Sequence, residues 1–149
     1  MRSKEFLIES YIAFELDNES RNQLFDRFPP KYPKVIAHHI TYDFGVSSDS
    51  ELPEQPEKME VVGYADDGES IEALVVAING DTTRSDGKVY HITWSLDPDQ
   101  GRKPVHSNDL IASNKYQQVK PISIVAMPKL FRPLLLSILL WLNENRTSR

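Results

Sequence analysis

Two short stretches carry the side chains best suited to chemistry. His39-Ile40-Thr41 is followed by Tyr42, and His91-Ile92-Thr93 is followed by Trp94. An imidazole titrates near neutral pH and can take or give a proton, and a threonine hydroxyl can donate a hydrogen bond to an anion. Alternate residues of an extended chain share a face. His39 and Thr41 therefore point one way, with Ile40, Tyr42 and Phe44 on the other side. His91, Thr93 and Ser95 repeat this against Ile92, Trp94 and Leu96. If the two polar faces meet across a groove, one imidazole can act as base on water and the other as acid on a departing oxygen, as hydrolysis of a phosphodiester needs. The threonines would hold the non-bridging oxygens and keep the phosphorus between the rings. This arrangement requires no metal or other cofactor.

A lone His-x-Thr is a weak pattern, because threonine is frequent in strands. Two copies, each in an alternating stretch and each followed by an aromatic residue, are much harder to obtain by chance. Neither histidine stands in His-Glu-x-x-His spacing, no Asp or Glu lies beside them at ligand spacing, and the chain has no cysteine, so a zinc site is not expected. Catalysis is favoured over satisfied structural histidines.

The elements that must position these residues read in order. Ser10–Leu16 alternates as a strand, with Ile12, Phe14 and Leu16 on one face and Tyr11, Ala13 and Glu15 on the other. Asp17–Phe28 reads as a helix capped by Asp17 or Asn18, with Leu24, Phe25 and Phe28 as its apolar stripe and Pro29-Pro30 as its stop. The first His-Ile-Thr strand spans Val35–Gly45. Ser47–Lys58 is a polar, proline-containing surface loop. Met59–Ala65 and Ile71–Asn79 flank Asp66-Asp67-Gly68, a hairpin signal. After the polar turn Gly80–Gly87 comes the second motif strand, Val89–Leu96. Asp97–Pro104 is a loop, Ser107 caps a short helix through Asn108–Ala112, and Val119–Ala126 is a final strand with Ile122, Ile124 and Ala126 on one side. The expected class is α+β with an antiparallel-rich sheet. The apolar tail Leu130–Leu142 is shorter than the ~20 residues that span a bilayer and is interrupted by Arg132 and Pro133. It reads as a packing or interface helix started by Pro133, through which the chain could associate with itself or a partner.

At 149 residues the chain is most simply one domain. Its net charge of −5 argues against tight binding of duplex DNA. A small anionic ligand remains compatible, since a local cluster can be basic on an acidic protein. Acidic residues interrupt the N-terminal stretch where a signal peptide needs an apolar run, so a cytoplasmic location is expected.

The paired His-Ile-Thr strands resemble the signature of the two-histidine (2H) phosphoesterases, His-x-Thr/Ser-x in each of two related lobes. That superfamily includes bacterial RNA 2′,3′-cyclic phosphodiesterases, the cyclic phosphodiesterase domains of plant and fungal tRNA ligases, and phage enzymes that degrade cyclic oligonucleotide signals. The resemblance runs from about Ser10 to Ala126. Within it, Gly101-Arg102-Lys103-Pro104-Val105-His106-Ser107-Asn108-Asp109-Leu110 is similar to the segment after the second motif in the tRNA-ligase type. The chain departs from compact members in the short interval between the motifs and in its apolar tail. The resemblance implies two pseudo-symmetric lobes around a central groove, His39 and His91 as the acid–base pair, and Thr41 and Thr93 as phosphate ligands. It implies an RNA end or nucleoside bearing a 2′,3′-cyclic phosphate as substrate, with a cyclic di- or oligonucleotide signal as the alternative. A protein that binds phosphate or an RNA end without turnover is the rival from another class.

Position in the chain suggests further candidates. Arg102 and Lys103 could neutralise a second phosphate or be a solvated loop pair. Tyr11 projects to the polar side of its strand, where its ring could stack on a base. Arg84 and Lys88 read as surface charges, with lining the groove as the lesser alternative; His38 reads as structural or surface, His106 as a local hydrogen-bonding residue ahead of a substrate contact, and Tyr42 and Trp94 as core.

Overall fold

A computed structural model describes residues 10–47, 49–112 and 115–131. Its strands are β1 (Ser10–Leu16), β2 (Lys34–Val35), β3 (His39–Val46), β4 (Met59–Asp66), β5 (Ile71–Ile78), β6 (His91–Leu96), β7 (Gln117–Ser123) and β8 (Ala126–Phe131). The helices are α1 (Asn18–Arg27) and the single turn α2 (Ser107–Leu110), with 3-10 turns at Pro98–Gln100 and Pro104–His106. The strands form one antiparallel sheet in the order β7-β4-β5-β6-β3-β1-β8, with β2 also paired to β6, and the sheet curls into a half-barrel. This sheet-rich architecture with few helices agrees with the class expected from the sequence.

The alternation of β1 places Ile12, Phe14 and Leu16 in the core. Ala13 is buried as well, because β1 is an inner strand between β3 and β8. Asp17 caps α1 by accepting from the Ser20 amide at 2.7 Å, satisfying one of the unpaired donors of the first turn. Leu24 of α1 is fully buried, and Phe25 packs 5.0 Å from the Trp94 ring. Trp94 donates from Nε1 to the Phe28 carbonyl at 2.7 Å, tying the helix end to β6. Phe14, Ile40, Leu74, Ile92 and Trp94 form the centre of the main core, with Tyr42 packed partly buried against it.

The stretch 35–45, expected as one strand, is broken. Residues 34–35 pair with β6, and from His39 onward the chain pairs chiefly with β1. Between them Ala37 takes φ +43, a left-handed conformation uncommon for a residue with a Cβ. The Ala37 amide still donates to the Thr93 carbonyl, whereas the His38 carbonyl already accepts from Leu16. The kink is where the chain exchanges one neighbour for the other. β3 and β6 meet at a single antiparallel pair, Ile40 opposite Ile92.

The β4–β5 hairpin is closed by Asp67, whose Oδ1 accepts from the amides of Glu69, Ser70 and Ile71. β5 is buried along its whole length because it is covered on both faces, with Leu74, Val76 and Ile78 in the main core and Val75 in a second cluster with Ala65 and Ile111. Its Glu72 carboxylate is fully buried, yet it accepts from Tyr64 Oη at 2.5 Å, the Lys31 amide at 2.8 Å and Ser95 Oγ. That set pins the proline-rich stretch after α1 to the sheet.

The single strand expected over Val119–Ala126 is two. β7 pairs with β4 at one edge and β8 with β1 at the other. Ile122, Ile124 and Ala126 are all buried, so the alternation is real although the partner changes between them. Leu130 and Phe131 belong to β8, and the remainder of the helix expected over Leu130–Leu142 lies outside the described residues. Among the described residues no helix is long and apolar enough to cross a membrane.

Candidate active site

The Ile40–Ile92 pair puts the two motifs side by side in opposite directions. Flanking residues in such a pair obey a local two-fold relation, which sets His39 toward Thr93 and Thr41 toward His91. The isoleucines are buried on the core side, and the polar members face the opposite side of the sheet. His39, Thr41, His91 and Thr93 all line one groove of about 270 Å³. Tyr11 and Phe44 wall it on the β1–β3 side, with Pro104, Val105 and Asn108 from the segment after β6 and Arg84 from the turn before it. Phe44, expected on the side of Ile40 and Tyr42, comes to the groove instead, because the β1–β3 register shifts between Thr41, opposite Ala13, and Asp43, opposite Ile12, and the alternation slips by one residue there.

His91 is 9% exposed. Its Nδ1 lies 2.8 Å from the Val89 carbonyl, which can only accept, so Nδ1 carries the hydrogen and Nε2 is left to meet a ligand. Burial pushes its pKa down, and the charges of Arg84 and Lys88 add to this, against the opposing hydrogen bond to Val89. For His39, burial is again the first cause, and with His38 and His91 nearby it drives the pKa down to about 4 despite Glu15. Both imidazoles are therefore neutral at pH 7. An anion bound between them would favour proton uptake by one and so produce the unlike pair that acid–base chemistry needs.

The threonines differ in their support. Thr93 Oγ1 lies 2.9 Å from Ser107 Oγ and donates to the Pro104 carbonyl at 3.3 Å. Ser107 is fully buried, so the segment after the second motif serves as a brace for Thr93. Sequence reasoning saw Ser107 only as a helix cap. Its signal was the Gly101–Leu110 stretch, which stood out as a block.

Arg84 is the residue most altered by the structure. It is only 3% exposed, and its Nε and Nη2 form two parallel bonds to Asp86 at 2.9 and 2.8 Å. Its guanidinium carbon sits 5.5 Å from the Phe44 ring centroid. Read from the sequence as a surface charge, it is instead a buried cation in the wall of the groove, with Nη1 the nitrogen that Asp86 leaves for an anion. Asn108 also lines the groove. Its Nδ2 donates to the Val105 carbonyl at 3.1 Å, while its buried Oδ1 has no partner among the described residues and can accept from a ligand hydroxyl or amine.

Other candidates are placed elsewhere. Arg102 donates from Nε to Ser70 Oγ at 2.8 Å and from Nη2 to Asp67 at 3.0 Å, so it fastens its loop to the β4–β5 turn and does not line the groove. Lys103 is exposed and outside the groove. Its amide donates to His106 Nδ1 at 3.0 Å, a local hydrogen bond as expected of His106. Tyr11 is in the groove, but its ring already stacks on Phe131 at 5.2 Å and stands 5.8 Å from His39. Among the described residues no group of three or more His, Asp or Glu side chains is arranged to hold a metal ion. No family model, curated protein or solved structure matches the chain.

Proposed function

We propose that this protein is a metal-independent phosphodiesterase of the 2H type, with His39 and His91 as the acid–base pair. The observation that carries the reading is the Ile40–Ile92 pairing, which brings two remote His-Ile-Thr strands into one groove with all four polar side chains along it. In the 2H reading, the strand groups on either side of this pair are the two pseudo-symmetric lobes. One imidazole takes a proton from water as the water oxygen attacks phosphorus. The other gives a proton to the departing ribose oxygen as the P–O bond breaks, leaving a phosphomonoester and a free hydroxyl. The hydroxyl of Thr41 and the guanidinium of Arg84 hold the non-bridging oxygens, whose charge grows in the transition state, and Thr93 joins them by turning its one hydrogen from the Pro104 carbonyl to the phosphate.

The substrate that fits best is a nucleoside or RNA end with a 2′,3′-cyclic phosphate. It presents one phosphorus and one small group to a groove of this size, and it suits an acidic protein with one local cation. Offering 2′,3′-cyclic AMP and 3′,3′-cyclic GMP-AMP in parallel, with EDTA present, tests the assignment. Turnover of the former with a bell-shaped pH dependence is expected. Turnover of only the latter would move the protein to degradation of cyclic-nucleotide signals. Saturable binding of either without product would make it a binding protein.

A further inference from the structure

We propose that Glu15 and His38 are positioning residues for the groove, forming a hydrogen-bonded relay that fixes the tautomer of His39 with hydrogen on Nδ1 and the lone pair on Nε2. The inference rests on His39 belonging to the acid–base pair, and it assigns a role to the histidine that precedes the first motif. His38 Nε2 lies 2.9 Å from Glu15 Oε2, and His38 Nδ1 lies 3.0 Å from His39 Nδ1. Glu15 is also bonded to Lys129 Nζ on the neighbouring strand. The three side chains are brought together by the kink at Ala37, which turns His38 toward β1 while His39 stays in register opposite Glu15.

Hydrogen-bond accounting sets the protons. The hydrogen bond from Lys129, with the help of its charge and of His38, holds the Glu15 carboxyl below the usual range, so it is ionised and can only accept. His38 must then carry hydrogen on Nε2. In neutral His38 the other nitrogen, Nδ1, is a bare acceptor, and the contact with His39 is satisfied only if His39 donates from its own Nδ1. Nε2 of His39 is left as the atom that takes a proton. When it does, the imidazolium formed keeps its Nδ1–H on His38, which is backed in turn by the Glu15 carboxylate. The same logic orients metal-bound and triad histidines, where the partner of the far nitrogen sets the tautomer.

The relay is also reversible. A proton added to His38 places hydrogen on both its nitrogens, so His38 Nδ1 becomes the donor and His39 must accept at Nδ1. A neutral His39 then carries its hydrogen on Nε2 and can no longer serve as base. The titratable and charged groups facing this pair are Glu15 and Tyr11 on β1, Lys129 on β8 and His91 on β6. Of these, Glu15 reaches only the far nitrogen of His38, and it is His38 that meets His39 Nδ1.

The tautomer can be read without substrate, by long-range proton–nitrogen NMR of the 15N-labelled full chain. In wild type, His39 Nδ1 should show the protonated type of nitrogen shift and Nε2 the bare type. His38→Phe should release this preference, and His38→Asn, whose Oδ1 falls near the position of the imidazole Nδ1 and can accept, should retain it. On the cyclic phosphate, His38→Phe should lower kcat by about 10–100-fold with KM little changed, and His38→Asn should recover most of the loss. Should His38→Phe fail to fold, the wild-type spectrum makes the test alone, because the relay requires His39 in the Nδ1–H form. A wild-type His39 in the Nε2–H form, or a tautomer indifferent to His38→Phe, overturns the relay. Absence of turnover by wild type would instead count against the phosphodiesterase reading, while the spectrum still decides the relay.

Discussion

Replacing His39 by glutamine keeps a planar polar side chain in the groove and removes its titration. The unfolded chain holds a histidine at about pH 6.5, whereas burial in the folded groove pushes His39 down to about 4. Between these values the unfolded state binds the proton and the folded state does not, so stability falls as pH drops. Integrating one such site from about pH 7.5 to about pH 5 gives a loss of about 2 kcal/mol at most. The carboxyls that the fold holds low, Glu15, Asp66, Asp67 and Asp86, lose their contribution only at more acid pH. His91 is also shifted down and acts in the same direction, so the wild-type slope alone does not isolate His39. Urea unfolding of wild type and His39→Gln at both pH values does. The stability difference between the two proteins should move by about 2 kcal/mol in favour of the variant on going to the lower pH. An unchanged difference would mean that His39 is solvated in the folded protein, and the description of the groove would fail with it.

Other consequences can be measured as readily. Ala37→Val should cost about 2–4 kcal/mol in urea unfolding, because a β-branched residue is strained at positive φ and the site has no room for the added methyls. Arg84→Met should lower kcat/KM by about 10–100-fold if the guanidinium meets the phosphate, the size of a lost hydrogen bond to a charged group. Trp94→Phe should cost about 2–4 kcal/mol through the cavity and the orphaned Phe28 carbonyl, read as a lowered thermal midpoint.

The two-residue period was enough to read that His39 shares a face with Thr41 and His91 with Thr93, because that depends only on local backbone geometry, but it failed at Phe44, where the irregular pairing of β3 with β1 shifts the alternation. It was enough for Ile12, Phe14 and Leu16, and the Asp17 cap and the Asp66-Asp67-Gly68 turn were legible because they too are local. It could not reveal that Ile40 stands opposite Ile92, since register between remote strands is set by the whole sheet. Nor could it show the break at Ala37, where nothing in Ile36-Ala37-His38 signals a left-handed residue. The division of 117–131 into two strands was hidden by an unbroken alternation through Ile122, Ile124 and Ala126. Arg84 looked like a solvent charge because it sits in a polar turn, and its partner Asp86 looked like another turn residue. Only the folding of that turn against Phe44 buries Arg84 in the groove wall, while Asp86 stays exposed behind it. Arg102 illustrates the opposite case, a cation in a promising block that the fold commits to Asp67 and Ser70.

The most direct test of the central claim is hydrolysis of 2′,3′-cyclic AMP in EDTA by wild type, His39→Ala and His91→Ala. Wild type should release the monophosphate, and each single substitution should lower the rate by ~10²-fold or more, the size expected for loss of a general acid or base. Comparable turnover by all three proteins, or none by wild type on this substrate or on 3′,3′-cyclic GMP-AMP, would mean that the two His-Ile-Thr strands are not a catalytic pair.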